Sequence, residues 1–213
     1  ARALREWVDG ILAAVPASDG EAPKALIVPH AGYVYSGVTA AAAYARLRPA
    51  RNVVKRVIVV GPCHRVPLRG LALPEATAFA TPLGTVPIDT AAVATILGLS
   101  GVTRSAAAHA QEHALEVQLP FLQRVLDEFT LVPLVVGAAA PAEVAEVIDR
   151  LWGGPETLIV VSSDLSHYHR YADAQAIDAQ TVQTILSLST ALDHEQACGA
   201  TPIAGLVEVA RKR

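Results

Sequence analysis

Apolar residues cluster along this chain in two distinct rhythms. Four runs dominated by Val, Ile and Leu, at residues 25–29, 56–60, 130–136 and 157–161, show no polar alternation and are bounded by Gly or Pro. Continuous apolar runs of that length suit strands covered on both faces, as in a parallel sheet. Between them, apolar positions return with helical spacing at about residues 37–47, 90–99, 112–129, 141–152 and 172–188. Strands alternating with helices predict βαβ units with right-handed crossovers, hence an open α/β sandwich. Residues 71–88, with Pro74, Pro82, Gly84 and Pro87, break the alternation and read as an excursion of short strands and turns. The alanine-rich stretch 40–45 reads as a closely packed helix, and no period of 20–50 residues recurs.

Composition narrows the class. At 213 residues the chain suits one large domain, and 52% hydrophobic against 17% charged residues provides a sizeable core. The longest apolar runs fall short of the ~20 residues of a membrane helix. With 17 basic and 20 acidic residues the net charge is −3, and the one basic cluster is the terminal Arg211-Lys212-Arg213. Nucleic acid and membrane are therefore not expected partners. Two cysteines, Cys63 and Cys198, make no disulfide framework, and residues 1–10 do not resemble a signal peptide, which points to a reducing cytoplasm. Methionine is absent and the chain starts at Ala1, so the natural ends are expected to lie outside it.

The chemistry gathers after the strands. The first ends in Pro29-His30-Ala31-Gly32-Tyr33, the second in Gly61-Pro62-Cys63-His64 and the fourth in Ser162-Ser163-Asp164-Leu165-Ser166-His167. Open α/β sheets bind ligands outside that edge, so these side chains are placed to converge. Two imidazoles and one anionic ligand form the facial arrangement of non-haem iron(II). Spacing alone does not choose the anion. His109, His113 and Glu116 stand at i, i+4 and i+7, which would share one face of a continuous helix; the same segment also reads as a polar first turn in which Glu112 favours the helix dipole. Cys198, with Gly199 and Pro202, reads as a tight turn opening a helix over 203–211, where a thiol would be acidified. Cys63 beside His64 is a weaker nucleophile candidate, because adjacent side chains usually diverge.

Taken in order, these motifs resemble the Memo family, in the microbial form labelled AmmeMemoRadiSam system protein B. The resemblance rests on Pro29-His30-Ala31-Gly32-Tyr33 with Ser36-Gly37, Gly61-Pro62-Cys63-His64, Thr81-Pro82-Leu83-Gly84, Glu112-His113 with Glu116 and Leu119-Pro120-Phe121, Ser162 to His167, and Cys198-Gly199 with Pro202-Ile203. It spans about residues 4–210 and implies a three-layer α/β sandwich with a central, mostly parallel sheet, similar to class III extradiol dioxygenases. It further implies His30, His64 and Cys198 as metal ligands, with Asp164, His167 and His113 as catalytic residues in the same cleft. Iron(II) is the metal this resemblance favours, with copper or zinc as alternatives, and the expected chemistry is redox or dioxygenase-like on a small aromatic molecule. Two other readings are a peptide- or protein-binding adaptor using the same cleft, and a zinc hydrolase. Compared with the family, short segments at both termini are expected to be missing from a single domain of residues 1–213. Cys63 stands where serine is more familiar.

Overall fold

A computed structural model describes residues 1–17 and 20–213. In chain order the elements are α1 (Arg2–Ala13), β1 (Ala25–Val28), α2 (Tyr33–Tyr44), β2 (Arg56–Pro62), β3 (Leu71–Leu73), β4 (Ala78–Thr81), β5 (Gly84–Pro87), α3 (Thr90–Ile96), β6 (Val102–Arg104), α4 (Ala106–Ala110), α5 (Leu119–Val125), β7 (Thr130–Val136), α6 (Pro141–Leu151), β8 (Thr157–Ser162), α7 (Tyr171–Leu186) and α8 (Ala200–Ala210). Short 3-10 turns cover Ala45–Ala50 and Glu116–Gln118. Six strands form one sheet in the order β1-β8-β2-β7-β3-β6, parallel except where β3 meets β7. β4 and β5 form a separate antiparallel hairpin, so the proline-rich excursion splits between an added sheet strand and that hairpin.

The four expected strands are the four long parallel ones. β8 is buried throughout, and β2 and β7 are buried after their first residue, as unalternating apolar runs require. Helices cover both faces: α1, α2 and α5 pack together, as do α3, α6 and α8. Tyr44 and Phe121 stack at 5.2 Å in the first group, and the Tyr44 hydroxyl donates to Gln118 Oε1 at 2.8 Å, so the ring is buried without stranding its polar end. No described helix is long and apolar enough to cross a membrane.

The expected helix over 112–129 is interrupted. α4 stops at Ala110, irregular chain and a 3-10 turn follow, and α5 starts at Leu119. Pro120 explains the new start: without an N–H, and with a ring that clashes with the carbonyl four residues earlier, it fits the first turn of a helix and not its interior. His109, His113 and Glu116 therefore do not share a helical face, and Glu112 is not in a first helical turn. Two elements had no strong signature. β6 has three residues, and α1 buries only Val8 and Leu12.

Candidate metal centre

Strand register sets the site. Val28 of β1 pairs with Ser162 of β8, and Val60 of β2 pairs with Val161 of β8. The segments that follow these three strands therefore leave the sheet at one edge. Asp164 ties two of them together, since its Oδ1 accepts from the backbone N–H of His30 (2.7 Å) and of Ala31 (3.0 Å). The turn before α8 is fastened to the same place: Cys198 N–H donates to the Asp164 carbonyl (3.3 Å) and Gly199 N–H to Ser163 Oγ (2.9 Å). Glycine is needed at 199, because a Cβ there would lie 2.6 Å from Ser163 Cβ.

The result is a compact donor set. One ligand atom each from His30, His64 and Cys198 lies within 4.8 Å of the others, and Cys198 Sγ is 3.4 Å from His30 Nε2. The tautomers follow from proton counting. Ser162 has one hydroxyl proton, which it donates to the Ala114 carbonyl at 2.5 Å, while its oxygen accepts from Gln118 Nε2 at 2.8 Å. His30 Nδ1, 2.8 Å from the same oxygen, must then be the donor, which leaves Nε2 as the lone pair facing the thiol. His64 Nδ1 lies 3.0 Å from Glu112 Oε1, an acceptor-only carboxylate, so it too carries a proton. This is the arrangement by which carboxylate and hydroxyl partners orient metal-binding histidines.

Charge follows the same geometry. Burial alone would raise the Cys198 thiol, but its close contacts with the His30 and His64 rings outweigh it and bring it to about 6. Hydrogen bonding to Cys198 and then to Glu112 raises His64 to about 10. Glu112, buried beneath His64, is held at about 2 despite burial, by bonds from the His64 ring and backbone and from Ala114 N–H. These shifts favour a thiolate beside an imidazolium in the metal-free cluster, and the thiolate form is the one that ligates metals.

The other expected residues take distinct places. His113 packs its ring 5.6 Å from His30 and 5.8 Å from His64, and burial lowers its basicity. Its Nδ1 is 3.5 Å from Glu112 Oε1 and makes no hydrogen bond, and His64, Glu112 and His113 form a second possible ligand group that shares His64. Asp164 Oδ2 is 3.8 Å from both His30 Nε2 and His167 Nε2, with His167 half-exposed at the rim. His109 is elsewhere, its Nε2 donating to the Ala72 carbonyl at 2.9 Å, and Cys63 Sγ turns to the Val66 carbonyl at 3.4 Å. Sequence reasoning missed Glu112, Gln118 and Ser162 as orienting groups. Only Glu112 left a trace, as the neighbour of His113. A separate groove of about 940 Å³ lies by Lys55 and Thr130 at the opposite edge of the sheet, away from all of these residues.

Two imidazoles and an acidified thiol at the C-terminal edge of a mostly parallel sheet define a candidate metal-binding α/β protein. Comparison with known proteins gives the family. A family profile described as Memo-like protein matches residues 1–212. The chain is 36% identical over 201 residues to a MEMO1 family protein of Aquifex aeolicus, covering 89% of this chain and 73% of that one. It is 30% identical over 233 residues to Protein MEMO1 of Mus musculus, covering 96% and 77%. The chain belongs to the Memo family. In fold it is also similar to a solved structure of an uncharacterized protein from Escherichia coli K12, with TM-score 0.58, 16% identity and coverage of 87% and 86%.

Proposed function

We propose that His30, His64 and Cys198 hold a single iron(II) ion and that the protein carries out redox, dioxygenase-like chemistry on a small aromatic molecule. The observation that carries this reading is the meeting of three ligand atoms within 4.8 Å, from segments far apart in sequence. The donor chemistry fits such an ion. His30 Nε2 is free to ligate because Nδ1 is committed, and Glu112 holds His64 in the same orientation. A redox-active ion bound there supplies electron-transfer and Lewis-acid chemistry toward an aromatic diol. The chain's own groups do the rest. His167 holds or moves a proton at the rim, Asp164 fixes the His30 loop and faces His167, and His113 walls the neighbouring side.

The thiolate also suits copper or zinc, so metal identity is the first measurement. Protein purified anaerobically is titrated with iron(II), copper(I) and zinc, and oxygen uptake is followed with a panel of catechols. One iron per chain, lost in His30→Ala and in His64→Ala, together with catechol-dependent oxygen uptake, supports the proposal. Unchanged metal content in both variants overturns the site. Zinc-only binding with hydrolytic activity would replace the redox reading, and partner binding that persists in metal-free protein would favour an adaptor.

A further inference from the structure

The two ring nitrogens of His64 face different clusters. Nε2 is on the side of Cys198 and His30, while Nδ1 lies 3.0 Å from Glu112 Oε1. On the Glu112 side stands another imidazole: His113 Nδ1 is 3.5 Å from the same oxygen, sealed from solvent and without a hydrogen bond. Neither tautomer of His113 relieves that atom. A proton on Nδ1 is a buried donor with no acceptor in line, and a bare Nδ1 turns its lone pair on a carboxylate oxygen. Among the described residues no lysine or arginine pairs with Glu112, whose side chain is 1% exposed.

A small divalent ion satisfies all three groups. Ligand atoms held about 2.0–2.1 Å from a tetrahedral ion lie about 3.3 Å apart, and the separations from Glu112 Oε1, 3.0 and 3.5 Å, bracket that spacing. One ligand atom each from His64, Glu112 and His113 lies within 4.8 Å of the others. Glu112 Oε1 keeps its bond from Ala114 N–H at 2.9 Å, and Oε2 its bond from His64 N–H at 2.6 Å, so the backbone orients the carboxylate while it ligates. An open groove of about 580 Å³, walled by Phe79 and His109, reaches Glu112 and His113 and gives the ion and a water ligand an approach. We infer that His64, Glu112 and His113 form a second cation site, which takes zinc or a similar divalent ion, with the His64 ring bridging the two sites. The ion takes the place of the His64 Nδ1 proton, which passes to solvent. The thiolate, the carboxylate and the deprotonated ring offset most of the charge of two divalent ions. This site goes beyond the redox reading and shares only His64 with it.

The test titrates the metal-free full chain with zinc, read by metal analysis after gel filtration, and with cobalt(II) as a spectroscopic stand-in. Two zinc ions per chain are expected, falling to one in His113→Ala and to one in His30→Ala. His113→Phe keeps a ring packed beside His30 and His64 but removes its nitrogens, so it should match His113→Ala and guards against a folding defect. The cobalt ion lost in His30→Ala should carry a thiolate charge-transfer band, whereas the one lost in His113→Ala should not. As much zinc in His113→Ala as in the unsubstituted chain overturns the inference. So does a single zinc that either substitution removes, because one ion then spans both sets. Failure of the cysteine-ligated site reads differently: His30→Ala keeps all its zinc, no thiolate band appears, and His113→Ala still loses an ion.

Discussion

Replacing Glu112 with glutamine keeps the shape of the site and reverses one of its hydrogen-bonding faces. The carboxylate accepts from His64 N–H at 2.6 Å on Oε2, and from Ala114 N–H at 2.9 Å and His64 Nδ1 at 3.0 Å on Oε1. A carboxamide has one oxygen, so its NH2 group must oppose a donor in either orientation. The least costly choice keeps the His64 backbone bond, strands Ala114 N–H and turns His64 Nδ1 into an acceptor. In the neutral ring, the form that binds metal, the one proton then sits on Nε2, the atom needed for the ion. A stranded buried donor costs about 1–3 kcal/mol, and lost charge-assisted bonds add to this. The carboxyl's own titration gives a similar scale: a fall from 4.5 to about 2 corresponds to about 3 kcal/mol. In a domain of this size that lowers the melting temperature of metal-free protein by about 6–12 °C near pH 6.

The pH dependence follows in sign. The Glu112 contribution is fully present above pH 4.5 and is lost as pH falls through about 2. The raised His64 contributes below pH 6.5, and its share is lost as pH rises through about 10. The gap between wild type and variant should therefore be widest between pH 4.5 and 6.5, close as pH falls through about 2, and narrow without closing as pH rises through about 10, because the backbone bonds to Glu112 remain, as measured by circular dichroism melts across pH. Metal affinity should fall about 10–100-fold, as for loss of other groups that orient a ligating histidine. A melting difference under about 2 °C at pH 6, or one that does not vary with pH, would refute the reasoning.

Thiolate absorbance of the metal-free protein should show one group titrating near pH 6 that disappears in Cys198→Ser and remains in Cys63→Ser; the reverse would move the ligating thiol to residue 63. Cys198→Ser should weaken metal binding far more than Cys63→Ser, because the Cys63 thiol faces the Val66 carbonyl, and equal losses in a metal titration would count against the assignment. His167→Ala should retain metal while depressing catechol turnover by about 10²–10⁴-fold if the imidazole moves the proton; loss of metal content would make it a ligand instead. Gly37→Ala should destabilise the fold by about 1–3 kcal/mol, because a Cβ there runs into the Trp7 indole, which stacks on Tyr33 at 5.3 Å. Denaturant unfolding followed by tryptophan fluorescence reads both the loss and the displaced ring, and an unchanged midpoint would mean that α1 gives way freely.

The strands and most helices were legible because their signals are local. An apolar run without alternation, or a 3.6-residue period, is complete within a few turns of chain, and it placed β1, β2, β7 and β8 and the strand-end histidines. The interruption after Ala110 was legible in principle from Pro120, but the apolar period over 112–129 masked it. The family resemblance named His30, His64 and Cys198, whereas strand-end spacing alone left Asp164 and Cys198 as equal candidates for the anion. What the tertiary structure decided is how those side chains are held. Glu112 reaches His64 across 48 positions, Ser162 fixes His30 across 132, and Cys198 meets His30 across 168. No local period encodes such pairings, because they follow from strand order and register in the folded sheet. Only there do a buried carboxylate and a single hydroxyl proton settle which imidazole nitrogens face the thiol.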